Sequence, residues 1–183
     1  MKILDRFLQY WRICKAKKYI SKDATVLDVG CADARLYDVI SGIEHYVGID
    51  SCVDSQDHEE KFQLIKGAFP KDLPIVECKF DSLIMLAILE HIPESAYPSM
   101  AQRCFDVLKP GGKVVITVPE PLVDTILHVL RRLNLIDGME LEQHHAVDTK
   151  KVPIIFTQVG FRHYHSSKFQ LGLNNLFVFE RPS

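Results

Sequence analysis

Apolar residues in this chain follow two rhythms that take turns. Short, nearly continuous runs at residues 25–29, 46–49, 62–65, 80–86 and 113–118 read as strands. The 80–86 run, FDSLIML, is apolar enough to demand cover on both faces. Between the runs, residues 35–41 and 95–108 carry helical spacing, the second stopped by Pro110, Gly111 and Gly112. Strand and helix in alternation predict a parallel sheet with helices on both faces. Ahead of them, residues 3–19 place Ile3, Phe7, Tyr10 or Trp11, and Cys14 at helical intervals, with Arg6, Arg12, Lys15, Lys17 and Lys18 around them. That is an amphipathic N-terminal helix within residues 1–20, which packs on the domain, covers a substrate as a lid or lies at a membrane surface.

The last third changes character. Residues 123–133 and 152–159 read as helices, and residues 161–169 and 176–180 as strands separated only by the turn-rich LGLNN. A connection that short cannot make a right-handed crossover, so these two strands are expected to be antiparallel. His163 and His165 alternate on the first of them and are expected on one face. The sum is one α/β domain over residues 1–183, with seven strands, mostly parallel, finished by a C-terminal antiparallel hairpin.

Composition narrows the partners. A chain of 183 residues that is 47% hydrophobic and 25% charged can bury one sizeable core. Lys+Arg 22 against Asp+Glu 24 give a net charge of -2, which supplies no basic groove for nucleic acid. Cys14, Cys31, Cys52, Cys78 and Cys104 are scattered without a CxxC pair, as expected of reduced thiols and no metal site. The longest apolar stretch, residues 83–89, is too short to span a membrane, and no secretory pattern opens the chain. The expected location is cytoplasmic.

Candidate chemistry concentrates where the first strand ends, in Asp28-Val29-Gly30-Cys31-Ala32-Asp33-Ala34. In open α/β sheets ligands sit beyond the carboxyl ends of strands, where strand order reverses. Gly30 permits a sharp turn and close backbone approach. Asp50, twenty residues later, closes the second strand and suits ribose hydroxyls. This pair fits a nucleoside-containing cofactor, or else a tight turn beside a solvated aspartate. A pyrophosphate cradle needs G-x-G-x-x-G, whereas those positions hold Gly30, Ala32 and Arg35. A carboxylate at Asp28 is unhelpful beside phosphates and suits an ammonium-bearing ligand.

With these residues in view, the chain resembles the class I S-adenosylmethionine-dependent methyltransferases, especially their small ubiquinone-biosynthesis-like branch. The resemblance runs from about Ala24 to Arg181 through VLDVGCADA, YVGID, FDSLIMLAILEHIPE, LKPGGKVVITVPEP and VGFRHYH in order. It implies a Rossmann-like fold, S-adenosylmethionine as cofactor and a methyl acceptor that is a small or lipid-like molecule. Carried onto this sequence, it implies Asp28, Gly30 and the Ala32 backbone around the cofactor's methionine part, Asp50 with Ser51 at its ribose, Ala68 and Phe69 at its adenine, and Leu86 and Ala87 beside the methionine end. Where the family has Gly-x-Gly-x-Gly, this chain has Gly30, Ala32 and Ala34. If Ala32 must take positive φ, its Cβ costs roughly 1–2 kcal/mol. Ala68 stands where an acidic residue often meets the adenine amino group, which leaves backbone groups at Ala68 and Phe69 for that contact.

Methyl transfer from a sulfonium needs alignment and exclusion of water more than acid–base help, and a base only when the acceptor must lose a proton. The base candidates are His91, just past the fourth strand, and His144 and His145 in the 120–150 insertion, which the family commonly uses for its acceptor pocket. Each also has a plainer reading: a helix-capping loop histidine for His91, a solvated loop or a metal ligand for the pair. Two rivals remain open: a non-catalytic cofactor-binding or scaffold protein of the same fold, and an NAD-dependent oxidoreductase, which the missing glycines disfavour.

Overall fold

The computed structural model describes residues 3–54, 56–58, 61–74, 79–120 and 147–183. Helix α1 (Ile3–Ala16) continues into a 3-10 turn, Lys17–Tyr19. Then come β1 (Ala24–Val29), α2 (Arg35–Val39), β2 (Ile43–Asp50), β3 (Gln56–His58), β4 (Phe62–Lys66) and β5 (Phe80–Leu86). They are followed by α3 (Tyr97–Val107), β6 (Leu108–Pro119), α4 (Lys151–Gln158), β7 (Arg162–Phe169) and β8 (Asn174–Glu180). The strands form one sheet in the order β3-β4-β2-β1-β5-β6-β8-β7. β4, β2, β1, β5 and β6 run parallel, and β8 and β7 close the far side as the expected antiparallel hairpin. The seven expected strands are present, and the three-residue β3 adds an eighth, antiparallel to β4 at the opposite edge.

Alternation along the central strands builds two cores. Leu27 and Val29 of β1, Leu83 and Met85 of β5 and Ile116 of β6 face α3 and α4, where Met100, Cys104, Val152 and Phe156 meet them. Val26, Ile84, Val115 and Val178 face the other way, onto Ile13 and Ala16 of α1 and Leu36 of α2. The unbroken apolar run of β5 follows from this, since both of its faces are covered. Aromatic stacking extends the first core: the Phe156 and Phe179 rings lie 4.8 Å apart and nearly parallel.

The amino ends of the parallel strands are tied by polar groups. Asp81 accepts the Thr25 backbone N–H at 2.8 Å and receives Lys109 Nζ at 2.9 and 3.0 Å. Arg181 Nη1 donates to the carbonyls of Phe105 at 2.8 Å and Leu108 at 2.5 Å, closing the last turn of α3.

Several boundaries move from their sequence positions. Helix α2 stops at Val39 because Gly42 turns the chain at φ +85°. Residues 94–96 form a 3-10 turn before α3, and β6 starts at Leu108 rather than 113, with a register shift opposite Phe80 and Ser82 that absorbs Pro110–Gly112. His163 and His165 do not share a face. A bulge between them pairs His163 with Phe179 and His165 with Val178, so His163 lies 5.6 Å from the Phe179 ring while His165 stacks on Tyr19. The expected helix at 123–133 lies outside the described residues, as does residues 121–146 of the 120–150 insertion.

Leu83 is fully buried between the layers. Leu83→Ala is expected to cost roughly 2–5 kcal/mol in urea unfolding, with the slope unchanged. A loss below about 1 kcal/mol would contradict two-sided burial of β5.

Candidate functional site

Strand order reverses between β1 and β5: the chain leaves β1 toward β2 on one side and β5 toward β6 on the other. The crevice beyond their carboxyl ends is therefore the natural ligand position. The loop after β1 is shaped by three left-handed residues, Gly30 at φ +73°, Ala32 at +45° and Ala34 at +53°. Gly30 donates its N–H to Ile49 O at 2.8 Å, and a Cβ there would fall 1.9 Å from Ile88 Cδ1. Only glycine fits. Ala32 and Ala34 hold the turn despite their Cβ atoms, at a cost of roughly 1–2 kcal/mol each. Across the crevice Ala87 is also left-handed, φ +58°, and its N–H donates to Thr117 O at 3.0 Å and Oγ1 at 3.1 Å.

Asp50 anchors this loop. Its Oδ2 accepts the Ala32 N–H at 3.0 Å and its Oδ1 the Cys52 N–H at 2.8 Å. A carboxylate offers about four acceptor positions, so the two backbone bonds leave capacity toward ribose hydroxyls. Ser51 is exposed beside it, its Oγ 3.8 Å from Cys52 Sγ.

Asp28 lies beneath the loop, only 4% exposed, and accepts the Tyr46 hydroxyl at 2.7 Å on Oδ2. Burial pushes its carboxyl up to about 7, outweighing the Tyr46 hydrogen bond, while Asp50 and Asp33 add to the rise. Cys31 completes this buried group. A Cβ on Gly48 would stand 2.7 Å from Cys31 Sγ, so the thiol is seated against the β2 backbone. Burial pushes that thiol up to about 12 and makes it a poor nucleophile.

At Ala68, expected at the adenine, the structure changes the expectation. The Ala68 N–H donates to Asp72 Oδ2 at 2.9 Å, and Ala68 O accepts the Asp72 N–H at 2.9 Å. That backbone donor is already spent on an acid the sequence reading did not single out. Phe69 is 9% exposed and belongs to the core facing α3. The local signal was an aspartate four residues after Ala68, closing its own turn.

Past β5, Leu86 and Ala87 are half-buried at the crevice and a 3-10 turn, Leu89–His91, follows. Glu90 is 5% exposed, and the Tyr97 hydroxyl donates to Leu89 O at 2.9 Å to hold the turn. His91 is half-buried there, and its backbone N–H donates to Ile88 O at 3.0 Å. His144 and His145 lie outside the described residues. Among the described residues no cluster of side chains is arranged to hold a metal ion. Helix α1 joins the site through residues that sequence reading assigned no role. Gln9 Nε2 donates to Asp33 Oδ1 at 3.0 Å, and Gln170 Nε2 reaches Leu8 O at 3.2 Å.

A profile of the family described as "Methyltransferase domain" matches residues 2–166. The chain belongs to this methyltransferase-domain family. A methyltransferase-named protein of Encephalitozoon cuniculi is 29% identical over 104 residues, 55% of this chain and 47% of its own length. The methyltransferase-domain chain thus spans about half the length of that curated relative. Two solved structures share the fold at TM-score 0.70. The 1,6-didemethyltoxoflavin-N1-methyltransferase of Burkholderia thailandensis is 16% identical, covering 94% of this chain and 79% of that one. A SAM dependent methyltransferase from Archaeoglobus fulgidus is 17% identical, covering 96% and 94%. Among the described residues of this family member, no helix is long and apolar enough to cross a membrane.

Two expectations follow. Ala32→Gly relieves the left-handed Cβ but adds unfolded-state freedom, for a net gain of roughly 0.5–1 kcal/mol read as a higher urea midpoint; a lower midpoint would refute strain at this residue. Asp28 ionises near 7 when folded and about 3.9 when unfolded, so the wild type loses stability as pH rises from about 4 to about 7 and is level above. Asp28→Asn removes that slope, and unfolding series across this window should show the two proteins diverging. A constant difference would rule the burial effect out.

Proposed function

We propose that this protein is an S-adenosylmethionine-dependent methyltransferase acting in the cytoplasm on a small-molecule or lipid-like acceptor. The observation that carries the reading is the Asp50 carboxylate at the end of β2, bonded to the Ala32 N–H of the loop after β1. On this reading Asp50 would offer ribose hydroxyls an acceptor beside a tight loop that has a glycine at its start and no pyrophosphate cradle. The same bend, kept by alanines at positive φ, argues that the substitutions at 32 and 34 did not dismantle the loop. This favours a working site over a scaffold that has lost its ligand. The Burkholderia neighbour is described with S-adenosylhomocysteine bound, in keeping with this reading.

Gly30, Ala32 and Ala87 would line the methionine part, Asp50 the ribose, and the edge at Ala68 the adenine, by shape rather than by the Ala68 N–H. When bound, the cofactor supplies an activated methyl on sulfur for in-line displacement. The protein's share is positional: Ile88 against Gly30 closes the crevice floor, and Ala87, fixed by Thr117, sets the wall past β5. Well-oriented reactants of this kind gain up to roughly 7–11 kcal/mol. His91 stands at the end of that wall as the described candidate for taking a proton from a hydroxyl acceptor, with His144 and His145 as further candidates from the insertion. The exposed Phe7 and Tyr10 of α1 support an apolar acceptor approaching from the lid side.

Thermal shifts with S-adenosylmethionine, S-adenosylhomocysteine and NAD test the cofactor. A ligand at 100 times its Kd adds roughly 2.7 kcal/mol, expected for the first two and not for NAD. Asp50→Asn, which keeps one oxygen for the loop, should weaken S-adenosylhomocysteine about tenfold, ~1.4 kcal/mol. Stabilisation by NAD alone would sink the proposal.

A further inference from the structure

Among the described residues, the large apolar side chains left exposed gather on one side of the sheet. Phe7 and Tyr10 belong to α1, and Tyr164 and Leu171 to the β7–β8 hairpin, whereas Ile154 lies on α4 in the opposite layer. Helix and hairpin are in contact. Gln170 Nε2 reaches Leu8 O at 3.2 Å, and Lys15 Nζ lies 5.9 Å from the Phe169 ring centroid. Tyr19, just past α1, stacks on His165 and meets Tyr164 edge-on. Single exposed apolar residues are ordinary, but a group of them on two joined elements marks a contact surface. Two members are unexplained by the fold itself. Leu171 is 97% exposed at φ +58°, a backbone that favours glycine, so neither burial nor turn geometry accounts for a leucine there. Phe7 meets Trp11, one turn on, edge to face at 5.7 Å, yet stays 54% exposed.

The charge on this side says what covers it. Across residues 3–19, Arg6, Arg12, Lys15, Lys17 and Lys18 stand against Asp5, in a chain whose net charge is -2. Arg6, Lys17 and Lys18 are exposed, and Lys113 Nζ sits 4.5 Å over the Tyr164 ring. Cations interleaved with tryptophan, tyrosine and phenylalanine suit a helix lying in a lipid headgroup layer, where rings enter the acyl boundary and lysine stems reach back to phosphates. A protein partner would need an acidic rim matched to an apolar centre, whereas an anionic bilayer offers both over any area. We propose that α1 and the β7–β8 hairpin dock this protein peripherally on an anionic phospholipid bilayer, with Phe7 and Leu171 inserted and Lys17 and Lys18 on the headgroups. Gln9 of the same helix is bonded to Asp33 after β1, so docking brings the rim of the crevice to the lipid. An apolar acceptor held in the bilayer then has a short path to the crevice. The docking itself does not rest on the cofactor assignment.

Co-sedimentation of the full chain with vesicles tests this, comparing phosphatidylcholine alone with equal parts of phosphatidylcholine and phosphatidylglycerol. Partition into the mixed vesicles is expected to be about tenfold or more the stronger, and to fall as salt is raised. Trp11 is the one tryptophan of the chain, so its emission should be quenched by lipids brominated in the acyl chain. Leu171→Gly suits the left-handed backbone and leaves the fold intact, yet should weaken partition several-fold, as should Lys17→Glu/Lys18→Glu. Absence of binding, equal binding to both vesicles, or bound protein with Trp11 unquenched overturns the proposal. Full affinity in both variants overturns it as well. Self-association in sedimentation velocity without vesicle binding, lost in Leu171→Gly, would assign the surface to a second copy and likewise overturn it.

Discussion

The carboxylate of Asp50 takes backbone N–H groups from two loops, Ala32 after β1 and Cys52 after β2, and most of the site's geometry depends on it. A turn containing alanines at φ +45° and +53° is intrinsically costly and needs external support to persist. Charge-assisted hydrogen bonds to Asp50 give that support, together with the Ile49 carbonyl beneath Gly30. The residue proposed for ribose is therefore also the one that keeps the loop after β1 bent. On that proposal, binding and local folding share one side chain.

A second layer of control lies under that loop. Asp28, Tyr46 and Cys31 form a buried polar group on the face covered by α1 and α2, where Tyr37, Tyr46 and Phe62 stack within about 5 Å of one another. The ring stack shields Asp28 from water, and the Tyr46 hydroxyl gives it one partner instead. A residue that the sequence pattern places toward a ligand's ammonium group is thus also part of the loop's foundation.

The sheet was readable because burial on both faces leaves an unmistakable signature: the 80–86 run coincides with β5 to the residue. Gly30 and Asp50 were readable for a related reason, being fixed by where a strand ends rather than by what surrounds them. Asp72, Asp33 and Gln9 were not, since their contacts arise from segments distant in sequence or from a turn closed by its own side chain. The His163–His165 pair failed differently. Strict alternation presumes an unbulged strand, and a single extra residue reverses every inference about face beyond it. Ala68 shows the limit of reading a site by position alone, because its backbone donor had a local competitor four residues on.

The polar ties of Asp81, Lys109 and Arg181 all lie at the end of the sheet opposite the crevice. They fix strand spacing and the end of α3 without using any group from the ligand loops. Tolerance to mutation should accordingly be graded along the strand axis: conservative at the tied end, permissive among the loops beyond the carboxyl ends. A molecule divided in this way can change what its loops bind over evolutionary time, with little penalty in the stability of the sheet that carries them.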